Sequence, residues 1–556
     1  MPIENQMTYP LDEAVDFVVV GSGSAGGILA KELSTNGFSV VVLEQGPFRE
    51  AKDFTHDEFD VWVSEGITGG KPASNTQTFR DDESKVAEVL PDRNPAFYYE
   101  GVGGASVHFT ANFWRLREID FKEQSALGSI EGTNFVDWPI TYEELEPYYT
   151  KVDWEIGVSG APGPFDSPRS MPFPMPPMPI KSSGVLLEKG AKAIGLTAQP
   201  APLAILSQPH NGRPACINCG YCMGYGCEIG AKSSTLAAMI PQAMASGNCE
   251  IRAECAVYNL ETGADGKISE VQYIDSDGNQ LSQKARTVVL SANGAETSRL
   301  LLLSENSTHP DGLANSSGYV GRNLMMNAHA MVQAVFEHQL NDYKGVQVTR
   351  IVHDLYESDP KRGFYGGGGF DARPFMAATP IWYSLAAQRS DGPQWGAEFK
   401  DRMAHNFTRQ MAIVCSATSL PLDRNNITID PTHKDKYGRP SLRMTYLDHD
   451  DDLANARYMQ GFAEQMAEAA GAVEQWSPPV TSGRGGGHLL GTCRMGDDPE
   501  TSVVDRYHRS HDVSNLFICD GSSMVTSGRG QPTMTIMALA FRAAEHIAAA
   551  ANNNEI

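Results

Sequence analysis

The apolar positions near the start of the chain change period twice. Phe17-Val18-Val19-Val20 is a continuous apolar run, the pattern of a strand buried on both faces. Gly21 to Gly27 interrupts it with small residues, and Ile28, Leu29, Ala30 and Leu33 then recur at helical spacing. Val40-Val41-Val42-Leu43 is a second buried-strand run. The three pieces predict a strand–helix–strand unit with parallel strands. Further along, Glu250 to Tyr258 reads as a strand, and the turns between Gly263 and Gly278 belong to a small antiparallel meander. Thr287 to Leu290 is another buried strand running into a helix. From Ala330 to Pro479 the pattern changes: Met331 to Phe336 alternates, and Gly366 to Gly369 reads as an exposed glycine run, both pointing to an antiparallel sheet. Helical spacing returns from Asp450 to Ala470. Thr141-x-x-Glu144 is a capping box that opens a short helix. Pro162 to Pro179 is too rich in proline for a helix or a central strand and reads as an extended crossover. The fold class expected is α/β, a Rossmann-like dinucleotide-binding domain with a second, α+β substrate domain built on an antiparallel sheet.

Composition narrows the function. The chain has 556 residues, 41% hydrophobic and 20% charged, an ordinary globular balance. Its formal charge of −24 argues against nucleic acid and anionic membrane surfaces and favours neutral substrates. Met1 to Glu13 has no basic segment followed by an apolar core, and no continuous run of 18 apolar residues occurs, so no direct membrane span is expected. A periplasmic location would come through a partner; otherwise the protein is cytoplasmic.

Gly21, Gly23 and Gly26 form G-x-G-x-x-G between the first strand and helix, and Glu44 ends the second strand about 20 residues on. The first glycine allows the tight turn, the second lets the backbone approach a pyrophosphate, and the third packs helix on strand. Ser24 and Ala25 complete the turn at the helix N-terminus, where free N–H groups favour phosphate. Glu44 would accept ribose hydroxyls. This fingerprint does not separate NAD from FAD. A different chemistry is concentrated at Cys216, Cys219, Cys222 and Cys227, spaced C-x2-C-x2-C-x4-C among Gly220, Gly224 and Gly226. The first three repeat the ferredoxin spacing for an iron–sulfur cluster; zinc is the rival, though structural zinc usually splits its ligands into separated pairs.

The stretch Gly101-Val102-Gly103-Gly104-Ala105-Ser106, with Asn112, Phe113 and Arg115, resembles the first signature of the glucose–methanol–choline (GMC) flavin oxidoreductases. Ser291 to Thr297 and Val320 to Leu324 resemble further signatures. His488-x-x-Gly491-Thr492-x-Arg494-Met495-Gly496, Asn515 to Ser522 and Gln531-Pro532-Thr533-x-Thr535 are similar to the C-terminal pattern, in the family's order. The resemblance implies FAD, held by Gly21, Gly23, Ser24, Ala25, Gly26 and Glu44, with Gly103, Gly104, Ser106 and His108 along the ring system. It further implies Val257 at the adenine, Asp520 and Gly521 at the ribityl–phosphate region, and Pro532 and Thr533 beside them. His108 either packs near the ring or bonds to it, as the matching histidine does in pyranose 2-oxidase. His488 matches the catalytic base, and Gln531 stands where the family has Asn or His. The implied domains are 1–160, 205–329 and 480–556 for FAD, cysteines included, and 161–204 with 330–479 for substrate.

The cysteine run is similar to that of gluconate 2-dehydrogenase and glucoside 3-dehydrogenase large subunits, which implies an iron–sulfur cluster, 3Fe-4S or, with all four cysteines, 4Fe-4S. The function expected is FAD-dependent oxidation of a secondary hydroxyl of a sugar or glycoside, C3 of a glucoside favoured. Electrons would leave through the cluster to a haem c or quinone-linked acceptor, and a small accessory subunit would carry the export signal. The alternatives are a gluconate or polyol dehydrogenase, a pyranose-type oxidase, and a lyase of the hydroxynitrile lyase kind.

Overall fold

A computed structural model describes residues 8–64, 76–91, 93–374, 383–384, 389 and 392–556. The first strand, Val15–Val20, lies inside a seven-stranded sheet, flanked in parallel by Val40–Leu43 and by Gln280–Leu290. Cys249–Arg252 extends the sheet beyond Val40–Leu43, and Leu516–Ile518 pairs in parallel with Gln280–Leu290. Val18, Val19, Val40, Val41 and Val42 are fully buried, which is why these runs are continuously apolar. Helix Gly26–Thr35 packs against helix Thr533–Asn552 and helix Ile240–Ala245.

The run from Glu250 to Tyr258 is two strands rather than one. Glu254 takes a positive φ of 56°, and there the chain leaves the parallel edge. It then begins an antiparallel meander of Ala256–Thr262, Ile268–Ile274 and the long strand Gln280–Leu290. The turn is tied back by Glu254 N–H to the Gly46 carbonyl at 3.0 Å and Cys255 N–H to the Glu44 carbonyl at 2.8 Å.

The second sheet has six strands in the order Glu474–Trp476, His329–Val335, Gln410–Ala417, Gly368–Arg373, Arg350–Val352 and Ala198–Pro200, all antiparallel. Alternation sorts its two faces. Ala330, Val332, Ala334, Met411, Ile413, Cys415, Phe370 and Ala372 share one core with residues of helices Ser182–Ala193 and Asp450–Ala470. Each large apolar side chain buried there contributes about 1.5–3 kcal/mol. The register places His329, Gln333, Asp371, Arg373 and Ser416 on the other face. Gly366 to Gly369, expected to be exposed, are buried. A Cβ on Gly367 would stand 2.1 Å from the Tyr356 carbonyl oxygen, and one on Gly368 2.0 Å from that of Ser416, so main chains meet where side chains would not fit.

A third sheet joins Asn426–Lys434 and Pro440–Thr445 to Thr78–Arg80, which is added in parallel. Its last strand lies in a stretch whose sequence is irregular. Helix Tyr142–Val152 starts at the Thr141–Glu144 capping box. Helix Thr533–Asn552 is the one helix among the described residues long and apolar enough to cross a membrane, and it is 72% buried inside the protein.

Candidate active site

A long cleft crosses the C-terminal edge of the parallel sheet. Glu44 and Val257 line it, as do Gly21, Gly23, Ser24 and Ala25 of the first turn, Gly104, and then Asp520, Gly521, Pro532, Thr533 and His488. Its walls are close because they are glycine. Gly21 turns with φ +91°, and a Cβ there would come 2.5 Å from the Ser291 carbonyl oxygen. The Cβ of a residue replacing Gly104 would lie 2.7 Å from Gly23 Cα, so the two glycine loops touch main chain to main chain. Helix Gly26–Thr35 has no acidic residue in its first turn to oppose an anion. At the other side, Glu44 is fixed by Ser22, whose N–H (3.0 Å) and hydroxyl (2.7 Å) donate to one carboxylate oxygen, and by Gly46 N–H at 3.0 Å to the other. Burial pushes this carboxyl up, and the three donors oppose that shift. Asp520 is held in the same way, accepting from Ser522 N–H at 2.8 Å and the Thr297 hydroxyl at 2.6 Å. An elongated groove with glycine walls, a helix N-terminus and an anchored acid fits a dinucleotide.

Five of the expected residues do not line this cleft. Gly26 packs helix on strand, since a Cβ there would stand 2.0 Å from the Gly21 carbonyl oxygen. Gly103 lies against Leu236, and Ser106 knits the loop to it by donating to the Gly103 carbonyl at 2.7 Å and accepting from Thr235 N–H at 3.2 Å. His108 is turned toward the cysteine loop: Nδ1–H donates to the Gly224 carbonyl at 3.2 Å, and Gly224 N–H returns a bond to the His108 carbonyl at 2.8 Å. Its ring packs edge-on against Tyr99, and burial holds the imidazole well below its ordinary pKa. Gln531 makes a long contact, Nε2–H to the Ser416 hydroxyl at 3.5 Å, on the polar face of the antiparallel sheet.

His488 faces the cleft and is oriented by a residue the sequence did not single out. Asn327 Oδ1 accepts from His488 Nδ1–H at 3.0 Å. The Asn327 amide nitrogen donates to the carbonyls of Ala417 (3.0 Å), Ser527 (3.5 Å) and Gly528 (3.5 Å). Three acceptors on that side fix which end of the amide is oxygen, so His488 must carry its hydrogen on Nδ1 and leave Nε2 as a base. Burial, with smaller contributions from His329 and Arg373, lowers the His488 pKa to about 3. The available signal for Asn327 was its place four residues beyond Asn323, at the start of the strand that leads into the second sheet.

Cys216, Cys219, Cys222 and Cys227 line one small cavity, all as free thiols. Left-handed turns at Asn218, Gly220 and Gly224 curl the loop inward. Lys232 is buried beneath it and donates to the carbonyls of Phe109 (3.1 Å), Cys222 (2.6 Å) and Tyr225 (2.7 Å). Main-chain N–H groups of Asn218 and Lys232 point at the sulfurs of Cys216 (3.3 Å) and Cys227 (3.5 Å). Among the described residues, no three His, Cys, Asp or Glu side chains are grouped to hold a metal ion.

Comparison with known proteins agrees with this geometry. Residues 139–329 match the N-terminal model of the GMC oxidoreductases and residues 421–540 the C-terminal one. The chain is 34% identical over 548 residues to 2-methyl-1,2-propanediol dehydrogenase of Mycolicibacterium austroafricanum, covering 97% of this chain and 96% of that one. It is 31% identical to the fructose dehydrogenase large subunit of Gluconobacter japonicus, over 96% of this chain and 98% of the relative. Among solved structures, formate oxidase of Aspergillus oryzae superposes with a TM-score of 0.65 at 15% identity, over 98% of this chain and 100% of that one, a likeness of fold. The chain belongs to the GMC oxidoreductases, FAD-binding enzymes that oxidise CH–OH groups.

Proposed function

We propose that this protein is a dehydrogenase that oxidises a secondary hydroxyl of a sugar or related polyol to a ketone, with C3 of a glucoside as the first substrate to try. The observation that carries this reading is the Asn327–His488 pair, a neutral imidazole with its base nitrogen turned to the cleft. FAD, when bound, supplies the acceptor for the hydride that leaves the carbinol carbon. Gly21, Gly23, Ser24 and Ala25 would bind its pyrophosphate, Glu44 would orient the ribose, and Val257 would pack at the adenine. Asp520, Gly521, Pro532 and Thr533 would hold the central portion. His488 Nε2 takes the hydroxyl proton, and Gln531 orients the same hydroxyl. FAD would bind here without a covalent bond, because His108 lies outside the cleft lining and is turned toward the cysteine loop, with Nδ1–H on the Gly224 carbonyl. Acid precipitation is expected to leave a yellow supernatant; colour kept in the pellet contradicts this.

The electrons taken from the substrate would leave through the cysteine loop. Four thiols on one cavity, glycine hinges, and N–H groups aimed at two sulfurs suit an iron–sulfur cluster better than one zinc ion, whose four ligands must close to about 2.3 Å. Three cysteines would hold 3Fe-4S, and all four 4Fe-4S. The two hydrogen bonds between His108 and Gly224 tie this loop to the flavin loop, which favours a relay outward. Such a relay serves a docked haem c or quinone-linked partner, and the relative from Gluconobacter japonicus is itself the large subunit of a fructose dehydrogenase assembly. Co-export with a signal-bearing accessory subunit would then bring both to the periplasm. The proposed division of labour assigns 1–160, 205–329 and 480–556 to FAD and 161–204 with 330–479 to substrate. Anaerobically prepared protein is expected to contain iron and sulfide. Substitution of the cysteines is expected to spare flavin reduction and abolish transfer to one-electron acceptors. Iron-free protein, or rapid peroxide formation with substrate, would instead make the chain an oxidase.

A further inference from the structure

Asn327 holds two imidazoles. Its side-chain oxygen accepts from His488 Nδ1–H at 3.0 Å, and its main-chain oxygen accepts from His329 Nδ1–H at 2.8 Å. A carbonyl oxygen only accepts, so both rings carry hydrogen on Nδ1 and both present Nε2 as a bare lone pair. The ring centres stand 5.5 Å apart, inclined at 57°. His329 begins the strand His329–Val335 at its accessible end, whereas Ala330 and the four residues from Val332 to Val335 behind it are buried. Neither Nε2 has a hydrogen-bond partner among the described residues. Arg373 is ion-paired with Asp371 on the same face of the sheet; desolvation by the surrounding side chains and, less strongly, the Arg373 charge lower both imidazole pKa values, which favours the neutral rings.

We infer that His329 is a substrate-binding residue that accepts a hydrogen bond from the hydroxyl next to the one being oxidised, so that the site selects vicinal diols. Two hydroxyls on adjacent carbons, each about 2.8 Å from its imidazole nitrogen, bridge rings at this separation. Two acceptors require two donors. A neighbouring carboxylate or ketone offers only lone pairs to His329 and is disfavoured, and a neighbouring methylene leaves its nitrogen unsatisfied. Asp371 already balances Arg373, so that guanidinium does not invite an anionic substrate. This deepens the reading above and rests on it.

The test uses the FAD-loaded protein and its His329→Leu and His329→Gln variants. Butane-2,3-diol and butan-2-ol share a carbon skeleton and differ by the second hydroxyl. Pinacol has two adjacent hydroxyls and no carbinol hydrogen, so it can only bind, read as a change in the flavin spectrum. His329→Leu is expected to lower the diol-to-monoalcohol ratio of kcat/KM about tenfold, mainly through KM, and to weaken pinacol binding by the same factor. His329→Gln, whose side-chain oxygen also accepts, should recover most of both. Equal losses for the two alcohols, an unchanged ratio, or wild-type pinacol binding no tighter than 2,3-dimethylbutan-2-ol would overturn the inference. If neither alcohol reduces the wild-type flavin but pinacol binding still depends on His329, the oxidation reading fails and the diol site stands.

Discussion

Replacing His488 by alanine is expected to cut kcat by a factor on the order of 10²–10⁴ while FAD stays bound, the range that follows removal of a general base. The expectation rests on position and protonation together. His488 is at the cleft wall, Asn327 holds hydrogen on Nδ1, and Nε2 is left to take the hydroxyl proton. Because the pKa is lowered to about 3, the basic form is present throughout the neutral range. The sign follows directly: kcat/KM falls only as pH drops toward that value, so His488 contributes no acidic limb between about pH 5 and 8. Gln531→Ala should lose about tenfold, the worth of one positioning hydrogen bond. Stopped-flow reduction of the bound flavin reads all of this. Near-normal reduction by the His488→Ala enzyme would remove it from the role of base.

Replacing Arg529 by methionine is expected to destabilise the fold by about 3–5 kcal/mol, the cost of leaving a buried charge without its partner. Arg529 is 2% exposed. Its guanidinium pairs with Glu123, donates to the Tyr356 carbonyl at 2.8 Å, and lies 3.7 Å from Asp120. Tyr365 and Tyr356 donate to the same two carboxylates, at 2.8 and 2.7 Å. The acids come from the segment Glu118 to Leu127, the tyrosines from beside the antiparallel sheet, and Arg529 from the loop just before Gln531. One cation thus joins three parts of the chain. Lysine should not rescue, since it lacks the planar fork that meets Glu123 with two nitrogens. Combining the change with Glu123→Gln should recover part of the loss. Denaturant unfolding of the holoenzyme measures it; an unchanged midpoint would contradict the role given to Arg529.

Several elements were legible in the sequence because one physical signal controlled each. The strand Val15–Val20, the turn and the helix Gly26–Thr35 follow from apolar runs and a glycine fingerprint, and Asp450–Ala470 from an unbroken helical period. The break at Glu254 was not legible, because a left-handed residue other than glycine leaves no compositional mark. The glycines from Gly366 to Gly369 were misread as exposed because their reason is a contact with Tyr356 and Ser416, distant in sequence. Thr78–Arg80 is too short to show a period and is a strand only through its partner Pro440–Thr445. At the site, the residues on short fixed motifs were legible. Asn327 and His329 were not, because their meaning lies in being beside His488, 161 residues away from Asn327 along the chain.

The strand Leu516–Ile518 bears on how this protein is made. It completes the parallel sheet against Gln280–Leu290, while helix Thr533–Asn552 seals helix Gly26–Thr35. During synthesis the nucleotide-binding turn at Gly21 to Gly26 emerges long before Leu516–Ile518 and Thr533–Asn552, the pieces that close over it. At about 5–20 residues per second, the ribosome holds that gap open for tens of seconds. The nascent chain therefore exposes the covered face of helix Gly26–Thr35 for most of its elongation and the edge of Gln280–Leu290 from the time that strand is made, a state in which chaperones act and aggregation competes. Cofactor loading becomes a post-translational event, and a chain ending shortly before residue 516 is an unclosed sheet rather than a smaller enzyme.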